Sequence, residues 1–187
     1  TQAFVKDFRL QDTAWSLDAL VQLVKAAKAL AERADAALVA AGKKAGMLHD
    51  AGALLMLVYR NTANTSVQEK KRASLFLVVS LFKIYFKLNT LHLCKNLIAA
   101  VNLPTFPRFE SFPSSQKVTY SYYVGRLAVF DDDYARAEKN LSYAFEHCSK
   151  RHPRNKKLVL RYLVPVKLIL GRRPTARLLD KYALDEY

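Results

Sequence analysis

From Gln116 to Cys148 the chain reads QKVTYSYYVGRLAVFDDDYARAEKNLSYAFEHC, a pattern that two antiparallel helices explain and a strand does not. Tyr134, Ala137, Leu141 and Ala144 recur at intervals of three, four and three. An aromatic, a small, a large and a second small residue therefore share one helical face. That alternation lets large side chains on one helix fill the gaps that alanines leave on the other. Gly125 stands where the first helix faces its partner and needs a small residue. The predicted helices run from Gln116 to Phe130 and from Tyr134 to Lys150, with only Asp131, Asp132 and Asp133 between them. So short a connection forces the two to lie antiparallel. Asp133 is the predicted N-cap, and the acidic triplet suits the positive end of the second helix's dipole.

Working outward, Lys157 to Leu170 and Thr175 to Tyr182 read as two more helices, separated by Gly171 and Pro174. Pro165 lies inside the first of them, where it costs about 3 kcal/mol unless the fold uses the bend. On the other side, Pro104, Pro107 and Pro113 with Ser111, Ser114 and Ser115 rule out a regular helix. Phe106, Phe109 and Phe112 recur there, so the connector is expected to pack down. Before it, Thr13 to Ala41, Leu48 to Thr62, Lys70 to Leu88 and Leu91 to Val101 carry helical periodicity. Asp12 or Thr13 is the expected cap of the first, and Trp15, Leu17, Leu20, Leu23 and Val24 its apolar stripe. Its alanines promise close helix approach. Leu75, Val78, Val79, Phe82, Tyr85 and Phe86 form so wide a stripe that the Lys70 helix must be flanked on several sides. The expected organisation is all-α: an N-terminal helical region at 1–103, a Pro-rich connector at 104–115 and stacked helix pairs at 116–187.

Thirty Lys and Arg against 16 Asp and Glu leave a net charge of +14. Nucleic acid, an acidic protein or an anionic surface would each relieve that self-repulsion; a solvated basic face with no dedicated ligand is the bland alternative. Cys94 and Cys148 fall in helical patterns with apolar neighbours and read as reduced core thiols. No apolar run is long enough to span a bilayer; Leu75 to Phe86 is too short and is broken by Ser80 and Lys83. A start at Thr1 instead of Met predicts a piece of a longer protein.

Gly125, Tyr134, Ala137, Leu141 and Ala144 follow a tetratricopeptide-like spacing. Two positions depart from it: Ser121 stands at the first-helix tryptophan site, and the closing proline arrives late, at Pro153. Three blocks in order, YFKLNTLHLCKNLIAAV (Tyr85 to Val101), the Gln116 to Cys148 stretch, and RNKKLVLRYLVPVKLILGRRPT (Arg154 to Thr175), resemble the PCI domain-containing protein 2 family. The resemblance covers roughly Lys70 to Tyr182. It implies the TPR-like helical-repeat portion, an α-solenoid, of a PCI protein whose winged-helix module lies outside this chain. It further implies a non-catalytic scaffold subunit of a nuclear transcription-coupled mRNA export complex, found at the nuclear pore and also in the cytoplasm. Its implied partners are a larger PCI-containing scaffold protein, a small acidic subunit shared with the proteasome lid, and RNA or DNA, with no membrane. A protein-only assembly subunit of the signalosome or proteasome-lid type shares the same fold and stands as the alternative.

The residues themselves offer one candidate surface. Lys150, Arg151, Arg154, Lys156 and Lys157 crowd one predicted turn, and Arg172 and Arg173 follow at the next. Such cations are expected to line one edge of the stack, touching phosphates or an acidic partner without reading bases. Tyr120, Tyr122 and Tyr123 invite base stacking, but their place on a repeat helix favours packing. His49, His92, His147 and His152 lack metal-ligand spacing, and no phosphate loop, nucleophile elbow or paired carboxylate occurs. The expectation is no catalysis, no metal and no cofactor.

Overall fold

The computed structural model describes residues 2–10 and 13–184, and every regular element among them is helical. The chain divides into two compact units, Thr1–Arg108 and Phe109–Tyr187.

In the first unit the order is α1 (Gln2–Leu10), α2 (Leu17–Ala40), α3 (Met47–Ala63), a turn of 3-10 helix (Lys70–Ala73), α4 (Ser74–Lys87) and α5 (His92–Val101). The apolar breadth of α4 is realised: Leu75, Leu77, Val78, Leu81, Phe82 and Ile84 are buried around its circumference. It packs against α3 and α5 and is tied to α2 by the Lys87–Glu32 ion pair at 2.8 Å. Gly52 lets α3 come close to α4, since a Cβ there would lie 3.2 Å from Ile84 Cγ2.

Three expectations for this unit need correcting. The first periodic segment starts at Leu17, not Thr13, with Ser16 at the cap position making no side-chain cap bond; Asp12 lies outside the described residues. Trp15 is therefore in the preceding turn, where helical spacing does not apply, and it is 76% exposed. The close approach promised by the α2 alanines is confined to Ala31; Leu30 and Val39 nearby stay exposed. Helix α1 precedes the segments read as helical, and Val5 and Phe8 bury it.

Helix α3 has no side-chain cap of its own, because Gly46 stands at that position. Asp35 of α2 supplies one from a distance. Its carboxylate accepts the backbone N–H groups of Gly46, Met47 and Leu48 at 2.8 to 2.9 Å. The Leu48 N–H above all, with the other two, holds the Asp35 pKa below its ordinary value.

The second unit holds α6 (Ser114–Phe130), α7 (Tyr134–His147), α8 (Pro153–Ile169) and α9 (Ala176–Tyr182). Each packs against the next, and α6 also meets α8. Ala137, Leu141 and Ala144 are fully buried, and with Ala128, Val159, Leu160, Leu163 and Val164 they form one core that Leu184 closes. Asp133 caps α7 as expected, accepting the Arg136 N–H at 3.0 Å. The helix α8 continues through Pro165. Phe112 is buried, and the Phe109 ring meets Tyr120 and Tyr143, so this end of the connector packs down.

Gly125 is the tightest point of the hairpin. A Cβ there would sit 2.6 Å from Leu141 Cγ and 3.3 Å from the Leu141 backbone N. Alanine ordinarily gains about 1 kcal/mol over glycine inside a helix, but this contact reverses the sign. Gly125→Ala should destabilise by about 1–3 kcal/mol, and adding Leu141→Ala should cost less than the sum of the two single changes; urea unfolding of all three variants checks both. Asp35→Ala should lower the melting temperature. A depressed carboxyl stabilises fully above its unfolded pKa and loses that contribution as pH falls through the folded one. The gap between wild type and variant should therefore close on acidification below about pH 4, read from melts across pH.

Candidate interaction surfaces

Backbone carbonyls at a helix's C-terminus lack intrahelical partners, and a lysine can satisfy them. That requirement divides the seven cations of the candidate basic edge. Lys156 is buried, its Nζ donates to the Phe145 carbonyl near the end of α7 at 2.8 Å, and it lies 4.5 Å from the centre of the Phe145 ring. Lys157 donates to the Ala183 carbonyl just past α9. Arg172 pairs with Glu138 of α7, which Lys167 also approaches at 3.4 Å. These three hold helices together. Lys150, Arg151, Arg154 and Arg173 are exposed, with no acidic partner for their side chains among the described residues.

The four exposed cations do not form one edge. Lys150, Arg151 and Arg154 surround the α7–α8 turn, while Arg173 follows α8. A helix of 17 residues separates its ends by about 25 Å, so successive turns fall at opposite ends of the layer. The expected continuous edge is thus one cluster of three at the α7–α8 turn, with Arg173 remote from it.

Tyr120 is buried, and Tyr122 and Tyr123 are half-buried. The Arg126 guanidinium lies 4.7 Å from the Tyr162 ring centre and 5.5 and 5.9 Å from those of Tyr122 and Tyr123. Burial raises the Tyr122 hydroxyl's pKa. The Tyr122 ring packs α6 against α8 through Tyr162, and the Tyr120 ring meets Phe109; packing is the reading their position favoured. Tyr134 half-covers the hairpin end, its hydroxyl donating to Asp132 at 2.8 Å.

No group of three His, Cys, Asp or Glu converges among the described residues. His147 stacks on Tyr143, with ring centres 4.0 Å apart. Burial pushes the Cys94 thiol up to about 12, which removes the thiolate needed for nucleophilic chemistry. No helix of the described residues is long and apolar enough to cross a membrane.

A surface that sequence reasoning missed lies in the first unit. Between α3 and α5 an open cavity of about 600 Å³ is lined by Met56, Leu57, Tyr85, Leu93 and Leu97 among others. A second of about 200 Å³ adjoins it, with Arg60, Lys71 and Ser74 in its walls. Its one sequence signal was Leu57, an apolar residue on a face the helix leaves exposed.

The family described as PSMD3-like, N-terminal TPR repeats matches residues 47–185, beginning where α3 begins. Enhanced ethylene response protein 5 of Arabidopsis thaliana is 43% identical over 185 residues, covering 99% of this chain and 44% of that relative. PCI domain-containing protein 2 of Xenopus laevis is 42% identical over 193 aligned positions, covering 100% of this chain and 48% of that relative. Protein CSN12 homolog of Mycosarcoma maydis is 38% identical over 118 residues, 63% of this chain and 26% of its own. The resemblance thus reaches past the expected Lys70 boundary to the N-terminal helices. The chain spans about half the length of the curated relatives it matches end to end.

The division of cations has a direct test. Lys156→Met should lower unfolding free energy by about 1.5–3 kcal/mol, the range for a hydrogen bond to a charged group. Lys150→Glu, at an exposed position, should stay within about 0.5 kcal/mol of wild type. Denaturant melts of the two variants check the contrast.

Proposed function

Since this chain belongs to the family of PSMD3-like N-terminal TPR repeats, and is similar over its whole length to PCI domain-containing protein 2, we propose that it is the helical scaffold portion of a PCI-complex subunit. The observation that carries this reading is the α6–α7–α8 stack, whose Gly125–Leu141 contact and alanine-lined core build a helical repeat. Such stacks leave most of their side chains on long faces, which suits assembly with other subunits.

The complex we propose is the nuclear transcription-coupled mRNA export assembly. A larger PCI-containing scaffold protein and a small acidic subunit are the partners, and nucleic acid contributes through the basic turn. Lys150, Arg151 and Arg154 are the residues proposed to touch phosphates, with Arg173 as a separate, weaker point. The net charge of +14 supports nucleic acid over a purely structural role. The similarity to Protein CSN12 homolog favours the second reading, a protein-only assembly subunit of signalosome type, in which the same turn meets an acidic polypeptide.

The full-length protein, isolated from a nuclear extract, distinguishes the two by the subunits that accompany it. Phosphate contact is tested with single-stranded RNA and the triple variant Lys150→Glu, Arg151→Glu, Arg154→Glu. Wild-type affinity should fall steeply with salt, and the variant should flatten the log–log slope by roughly two. Equal slopes would remove this turn from any nucleic-acid role.

A further inference from the structure

The two cavities of the first unit form one groove. They share Tyr59, Arg60 and Ala100 in their walls, and α4 contributes to both, Tyr85 in the larger and Ser74 in the smaller. Along α3 the lining runs from His49 to Asn64, which is about 22 Å of helix. Met56, Leu57, Leu93 and Leu97 make the larger part aliphatic.

Two observations separate this groove from a packing defect. Ser74 in the smaller cavity and Thr90 in the larger each keep a side-chain hydroxyl sealed from solvent with no hydrogen-bond partner among the described residues. Ser74 is only 1% exposed. Buried hydroxyls are ordinarily paired, and these two stand unpaired in the walls of the groove. Second, Arg60 and Lys71 both line the smaller cavity, and neither side chain has an acidic partner among the described residues. That end of the groove offers donors: a guanidinium, an ammonium and the Asn64 amide.

We propose that this groove receives an amphipathic helix of a partner polypeptide, about four turns long, whose last turn is acidic. An aliphatic trough between two helices fits side chains at i, i+3, i+4 and i+7. A helix's C-terminus presents carbonyls without partners and the negative end of its dipole. Both match the donors at the Arg60, Lys71 and Ser74 end, and acidic side chains in that turn would pair the two cations. A nucleic-acid strand also supplies acceptors, but its sugars and phosphates have no use for a leucine-lined trough. The proposal does not depend on which complex the subunit serves, and it involves none of the cations at the α7–α8 turn.

The probe is a display library of helical peptides of about sixteen residues, with leucine or alanine at the four anchor positions and Glu, Lys or Gln elsewhere. It is selected on the whole chain and counter-selected on Leu57→Lys, a change at an exposed position that blocks the trough. Enriched peptides should carry Glu in the last turn and lose at least tenfold in affinity to the Arg60→Glu, Lys71→Glu double variant. Exchanging those glutamates for lysines should restore binding to the double variant and abolish it to wild type. Melting curves establish that each variant folds; if the double variant does not, Arg60→Glu alone carries the comparison with a threefold or larger loss. Absence of any Leu57-dependent peptide, or enrichment indifferent to last-turn charge, overturns the proposal. So does sedimentation showing self-association that Leu57→Lys abolishes, which would make a second copy the occupant.

Discussion

Every helix end leaves backbone groups that the helix cannot satisfy, and in this chain the side chains that satisfy them often come from elsewhere in the sequence. Asp35 of α2 accepts three N–H groups at the start of α3. Lys70 reaches the Phe8 carbonyl near the end of α1 at 2.7 Å, and Lys156 does the same for Phe145 of α7. Lys157 closes the end of α9. The two buried lysines repeat one device, since each also lies within 5 Å of the ring of the phenylalanine whose carbonyl it caps. A fully buried ammonium is costly unless paired, and a carbonyl at the negative end of a helix together with a ring face offers such a pairing. The helices are locked to one another through their ends as well as their faces.

This arrangement explains why a cluster of cations in the sequence is a smaller cluster on the surface. Of the seven basic residues between Lys150 and Arg173 singled out for binding, three are spent on helix ends or on Glu138. The remaining cations are divided by the length of α8. Charge therefore acts in two ways. Part of it holds the second unit together at short range, and part faces solvent, where it sets the field a partner meets.

The two units bury their apolar surface by different means. The first wraps α4, whose core-facing residues go all the way round the helix, and leaves an aliphatic groove beside it. The second alternates small and large residues so that neighbouring helices nest closely around Ala137, Leu141 and Ala144. What both present is extended helical surface, the kind on which other chains assemble.

Local pattern was enough to find most of this. Helical periodicity locates α3 through α9 to within a few residues, Asp133 announces its cap, and Gly125 with the Tyr134 to Ala144 face predicts the close hairpin that α6 and α7 form. These features rest on neighbours three or four positions apart, so the sequence carries them in plain view. The short α1, the exposure of Trp15, the Asp35 cap and the capping roles of Lys156 and Lys157 depend on residues eleven to sixty-two positions distant or on where a turn ends. The groove of Arg60, Lys71 and Ser74 draws on α3, α4 and the segment after α5 together. The order of residues along the chain determined which helices form and which faces they bury. Only their packing decided which charges are consumed inside and which remain for a partner, because a side chain's partner is set by distance in space.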